Sequence, residues 1–130
     1  MKRTLTVAAV LATAAGVFAV PTAAFAAQNN DIGGTVYTSG AWTPGSVTRH
    51  KTDTGDIKVK ITDNLDGGIC LRLKSTRTGS IFAGPVCWAA GEYTAKFVAY
   101  DVLSGTTFTI EAHKGISGGS NNAWAGIANY

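Results

Sequence analysis

Glutamate, histidine and cysteine each occur only twice in these 130 residues, and methionine once. Each scarcity removes a class of chemistry. A structural zinc site needs about four clustered ligands, and His50 and His113 share no ligand spacing with Cys70 or Cys87. Paired carboxylates for glycoside hydrolysis would have to come from Glu92, Glu111 and six aspartates that lie mostly in turn-like stretches. There is no G-x-S-x-G, phosphate-binding loop or dinucleotide fingerprint. No catalytic residue, metal or cofactor is therefore expected. A triad assembled from distant positions would leave no such mark and stays open as an alternative.

The one long uncharged run lies at the amino terminus. Lys2 and Arg3 precede sixteen uncharged residues, Leu5 to Val20, which Pro21 ends. Ala24-Phe25-Ala26 then offers the small-x-small pattern that a signal peptidase accepts. A membrane-spanning helix usually takes about 17 to 25 apolar residues, so the run is short for an anchor and reads as a cleaved secretory leader over 1–26. Its alanine-rich style resembles the leaders of secreted actinobacterial proteins. The expected location is extracellular, with no membrane span after processing.

Removing the leader leaves 104 residues, nine basic against eight acidic, for a net charge of +1. Nucleic-acid binding wants a clustered positive field, and this balance gives no reason to expect it. The length fits one domain, small enough to gain from a crosslink. In an exported chain, Cys70 and Cys87 are expected to form a disulfide. A loop of that size adds about 3 kcal/mol if unstrained.

Residues 27–34, "AQNNDIGG", are polar and glycine-rich and read as a flexible tail before a single domain over 35–130. In that domain the apolar period is two. "DIKVKIT" sets Ile57, Val59 and Ile61 against Lys58, Lys60 and Thr62. "ICLRLKST" sets Ile69, Leu71 and Leu73 against Cys70, Arg72 and Lys74. "TFTIEAH" sets Phe108, Ile110 and Ala112 against Thr107, Thr109 and Glu111. Such alternation marks half-buried antiparallel strands. Less regular strands are expected at 36–42, 47–50, 81–88, 93–100 and 123–130. Turn residues separate them, in "TPGS", "KTDTGD", "DNLDGG" and "KGISGGSNN" among others. The expected fold is all-β, a small antiparallel sandwich of jelly-roll or immunoglobulin type, with a small closed barrel as the alternative.

If "DIKVKIT" and "CLRLKST" form a hairpin across "NLDGG", one register sets Thr62 opposite Cys70, Lys60 opposite Arg72 and Lys58 opposite Lys74. Lys58, Lys60, Arg72 and Lys74 would then share an outer basic face. Lysines on an exposed strand discourage edge aggregation; the sharper alternative is an acidic partner. "TDNLDGG" carries Asp63, Asn64 and Asp66 in the style of a calcium loop. It lacks the first-position carboxylate, and Leu73 stands where the bidentate glutamate would be, so it reads as a turn.

"AAGEYTAKF" resembles the turn-then-tyrosine strand entry of bacterial immunoglobulin-like and jelly-roll domains. That resemblance implies a corner pinned by the Tyr93 hydroxyl. Trp88 and Tyr93 are expected in the core. Trp42, before "TPGS", and Trp124, after the Gly/Ser/Asn loop, are expected at an exposed aromatic rim suited to stacking on sugar rings.

Three functional readings follow. The leading one is a secreted non-enzymatic binding domain for a polysaccharide, an anionic polymer or a protein. The second is a peptidase inhibitor offering Thr76-Arg77-Thr78 on a disulfide-anchored loop, since a rigid loop loses less entropy on docking. The third is a hydrolase with a dispersed site around His50 or His113.

Overall fold

The computed structural model describes residues 29–64, 67–116 and 119–130; the expected leader lies outside the described residues. Among the described residues eight strands occur: β1 (Asn29–Val36), β2 (Arg49–His50), β3 (Gly55–Asp63), β4 (Ile69–Ser75), β5 (Ile81–Trp88), β6 (Ala95–Val102), β7 (Thr107–Lys114) and β8 (Asn122–Asn129). They build two four-stranded antiparallel sheets, β1-β8-β3-β6 (sheet A) and β2-β7-β4-β5 (sheet B). Each strand pairs with its counterpart from the other end of the chain: β1 with β8, β2 with β7, β3 with β6 and β4 with β5. The chain is thus one long antiparallel hairpin rolled into a sandwich, the connectivity of a jelly roll. Four edge strands stay open, so the alternative of a closed barrel is not formed.

The inner faces hold the residues that the alternation assigns to them. Ile57, Val59 and Ile61 from sheet A meet Ile69, Leu71 and Leu73 from sheet B, and all six are fully buried. Trp88 and Phe108 complete that layer. Tyr130 closes one end: its ring lies edge-on to Phe108, and its hydroxyl accepts a hydrogen bond from Arg49 Nη1 at 2.9 Å.

The expected hairpin between Ile57–Thr62 and Cys70–Lys74 is not formed. β3 pairs with β6 and β8, β4 with β5 and β7, and the two strands lie in different sheets. Period-two alternation fixes which face of a strand is buried. It does not say whether the next strand lies beside it or about 10 Å across the core. Asn64 shapes this crossing. Fully buried, it donates from Nδ2 to the Ala89 carbonyl at 2.9 Å, and its main-chain carbonyl accepts the Gly91 N–H at 2.8 Å. The β3-to-β4 and β5-to-β6 crossings are thereby tied together at one end of the sandwich.

The segment read as a tail is also a strand from Asn29 onward, paired along its whole length with β8. Gly33 makes room for the neighbouring backbone, while Gly34 lies at ordinary contact distance from the Trp124 ring. A Cβ on Gly33 would stand 2.7 Å from the Trp124 carbonyl, and one on Gly34 3.5 Å from the indole nitrogen of Trp124. Trp124 accordingly lies inside, only 7% exposed, and is not at a rim. Alternation with Ala128 and Tyr130 carries it inward. Tyr93 departs the other way: it is 40% exposed on the β5–β6 turn and takes no part in the core.

Candidate functional site

The four cations expected on one face are divided between two. On the outer face of sheet B, β4 lies between β7 and β5, with Cys70 opposite both His113 and Cys87, and Arg72 opposite Glu111. Thr43 extends this sheet by bridging to Ala112, which brings Trp42 alongside His113. The two rings meet edge-on at 4.2 Å. The Arg72 guanidinium lies 4.1 Å from the centre of the Trp42 ring and donates from Nε to Glu111 Oε2 at 2.7 Å. Lys74 reaches the other oxygen of Glu111 at 3.6 Å. Glu111 is 3% exposed, so both cations serve to neutralise a buried carboxylate. Trp42 is half-buried as the lid of that group. The Cys70–Cys87 disulfide ties β4 to β5 on the same face. The Arg72, Trp42 and Glu111 side chains of this surface are engaged with one another, while the Lys74 side chain stays 41% exposed.

The inhibitor segment is a tight turn between β4 and β5. Gly79 donates to the Ser75 carbonyl at 2.9 Å, and Thr78 donates to Ser75 Oγ at 3.2 Å. The Thr76 and Thr107 hydroxyls are 2.5 Å apart. Arg77 is exposed at the tip, but the disulfide lies at the opposite end of the hairpin and does not anchor that tip. His50 and His113 sit at opposite ends of the β7 register, about 20 Å apart at the rise of a strand. His113 Nδ1 is hydrogen-bonded to the Lys114 carbonyl.

Lys58 and Lys60 have a different setting. Both project from β3 onto the outer face of sheet A, and neither is ion-paired among the described residues. Lys58 stands opposite Asn129 on β8 and Phe97 on β6; Lys60 stands opposite Ile127 and Ala95. Asn129 donates to Asn29 Oδ1 at 2.9 Å on the next strand. With Lys58, Lys60, Ala95 and Ile127, these asparagines line an open depression of about 440 Å³. Beyond Lys60 the face carries small residues on β1 and β8, Gly33 paired with Ala125 and Thr35 with Ala123, and Asp63 of β3 on the other side of Ala125.

An aromatic pair lies next to Lys58, outside the lining of the depression. Phe97 and Tyr100 stack with ring centres 5.3 Å apart and planes inclined by 29°. The Lys58 ammonium lies 5.1 Å from the Phe97 ring centre. Tyr100 is 67% exposed and Phe97 42%, so the platform is open to solvent. Strict alternation would send residues three apart to opposite faces. Here β6 holds two residues more than β3 between the pairs Lys58↔Phe97 and Gly55↔Val102, with register shifts in that interval. As a result Val98 and Ala99 are both buried, and Tyr100 returns to the side of Phe97. This exposed pair was outside the reach of a period-two reading, which has no means of seeing a bulge.

Chemically, the outer face of sheet A presents two ammonium groups without ion pairs, two amides and a stacked aromatic surface, with the exposed carboxylates of Asp31, opposite Ile127, and Asp63, opposite Ala125, toward its other side. The ammoniums suit carboxylate, phosphate or sulfate, the amides suit hydroxyls, and the rings suit an apolar sugar face. Compared with known families and with curated proteins, the chain matches no family model and no curated relative.

Proposed function

We propose that the protein is a secreted, non-enzymatic binding domain that holds an acidic carbohydrate polymer across the outer face of sheet A. Lys58 and Lys60 carry the interaction with its acidic groups, Phe97 and Tyr100 stack on its rings, and Asn29 and Asn129 meet its hydroxyls. The observation that carries this reading is the juxtaposition of two unpaired lysines with an open aromatic stack. Arg72 and Lys74, which sequence placed in the same group, are engaged by Glu111 and take no part. Export is supported by the leader pattern at 1–26 and agrees with the Cys70–Cys87 disulfide.

Retention tests the proposal. The protein is passed over immobilised acidic polysaccharides (polygalacturonate, alginate, a sulfated galactan) and over neutral cellulose and chitin. Retention on an acidic polymer, lost in Phe97→Ala/Tyr100→Ala with the fold intact, is the expected result. Equal retention of that variant contradicts the stacking role, and passage through every column contradicts the proposal.

A further inference from the structure

The open edges of β5 and β6 lie on the same side of the sandwich, and a groove of about 650 Å³ runs between them. Its floor is core: Val98, Ala99 and Val102, all buried. Phe82 and Tyr100 stand on its walls, and Phe82 is fixed edge-on against core Phe108 at 6.3 Å. The polar residues that line it are Ser75, Thr78, Tyr100, Asp101 and Thr106; the Ser75 and Thr78 hydroxyls accept the Thr78 and Ser80 N–H groups in the turn. Among the described residues no lysine or arginine lines it, in contrast to the depression on sheet A.

Asp101 is the one non-glycine residue with positive φ (50°) among the described residues. Aspartate tolerates that region better than most residues, yet the conformation still carries a cost that surrounding structure must offset. The Asp56 carboxylate supplies part of that support, accepting the Asp101 N–H at 3.0 Å. The backbone therefore holds a carboxylate at the groove lining beside Tyr100. Tyr100 itself belongs to both places, as a wall of the groove and as half of the stack on sheet A.

We infer that this groove is a second subsite, for a neutral hydroxyl-rich residue of a sugar chain, with Tyr100 as the wall shared with the lysine-bearing face. The inference rests on the carbohydrate reading above and adds a division of labour. Acidic residues of the chain lie on sheet A. A neutral sugar enters the groove, stacks an apolar ring face against Tyr100 or Phe82, and donates hydroxyl hydrogen bonds to Asp101. The threonine and serine hydroxyls serve as donors or acceptors for the remaining sugar hydroxyls. The Asp101 carboxylate repels an anion, which sets the selectivity against acidic residues.

The test is an amide-resolved NMR titration of the wild-type protein with cellobiose, maltose and N,N′-diacetylchitobiose, each into the millimolar range, and separately with oligogalacturonate. The expected result is saturable movement of the Thr78, Phe82, Gly84 and Asp101 amides with at least one neutral disaccharide. Oligogalacturonate moves Lys58 and Lys60. Asp101→Asn keeps a residue that accepts the same backbone, and weakens the neutral sugar about tenfold by removing a charged acceptor. If no neutral sugar moves the groove amides while oligogalacturonate still moves the lysines, the subsite is wrong and the polymer-binding reading stands. If no sugar moves either set, both fall. The wild-type titration decides this whether or not the Asp101 variant folds.

Discussion

At the scale of single residues, two glutamates in different surroundings do different work. Glu111 is buried under Arg72 and Lys74, with Trp42 covering the guanidinium. Glu111→Gln leaves Arg72 with a neutral acceptor in a half-buried site. It is expected to cost about 2 kcal/mol, within the range for hydrogen bonds to charged groups, measured as a lowered urea midpoint at unchanged slope. Glu92 is partly exposed on the β5–β6 turn. Its carboxylate accepts from Lys96 at 2.8 Å, from the Ala89 N–H at 2.9 Å and from Thr94 at 3.0 Å. These bonds, that from Lys96 foremost, lower its pKa from 4.5 to about 2. The folded value lies below the unfolded one, so the stabilisation is complete above pH 4.5 and disappears as pH falls through about 2. Carboxyl carbon chemical shifts should show Glu92 titrating well below the ordinary glutamate range, and Lys96→Met should raise its midpoint. An unchanged midpoint in that variant would rule out the Lys96 ammonium as the main cause.

At the scale of elements, the disulfide and the bulged strand are the informative pieces. The spacing of Cys70 and Cys87, with the export leader, was sufficient to expect the bond, and the structure sets it across neighbouring strands of sheet B. Cys70→Ser/Cys87→Ser should lower stability by about 3 kcal/mol, chiefly by freeing the unfolded chain, and leave the strand content seen by circular dichroism unchanged. A loss of strand signal at room temperature would mean that the bridge defines the fold as well as stabilising it. Strands such as β3, β4 and β7 were legible because Ile57/Val59/Ile61, Ile69/Leu71/Leu73 and Phe108/Ile110/Ala112 follow the pleat without interruption. β6 was less legible. Its extra residues put Val98 and Ala99 on one face and bring Phe97 and Tyr100 together on the other, a pattern that no fixed period describes. β1 escaped notice for a different reason: Gly33 and Gly34 resemble a loose linker, whereas the missing side chain of Gly33 is what lets the β8 backbone at Trp124 approach.

At the scale of the molecule, the sandwich followed from alternation, while the assignment of strands to sheets did not. Side-by-side and face-to-face neighbours demand the same buried residues from β3 and β4, so the basic quartet was assembled on a hairpin the chain does not make. Splitting that quartet sharpens the functional account. Two of its members share the one buried carboxylate of Glu111 on sheet B, and the two that are not ion-paired lie beside the aromatic pair on sheet A. Binding through exposed lysines should also weaken with salt, because the screening length falls from about 10 Å at 0.1 M to about 3 Å at 1 M. The most direct test compares two charge-matched variants by calorimetric titration with soluble polygalacturonate. Lys58→Gln/Lys60→Gln removes both cations of sheet A; Lys74→Gln/Arg77→Gln removes two from sheet B and its turn. The account predicts that the first variant loses most of its affinity and the second keeps it. Equal losses would reduce the interaction to net charge, and a loss confined to the second variant would put the binding surface on the other sheet.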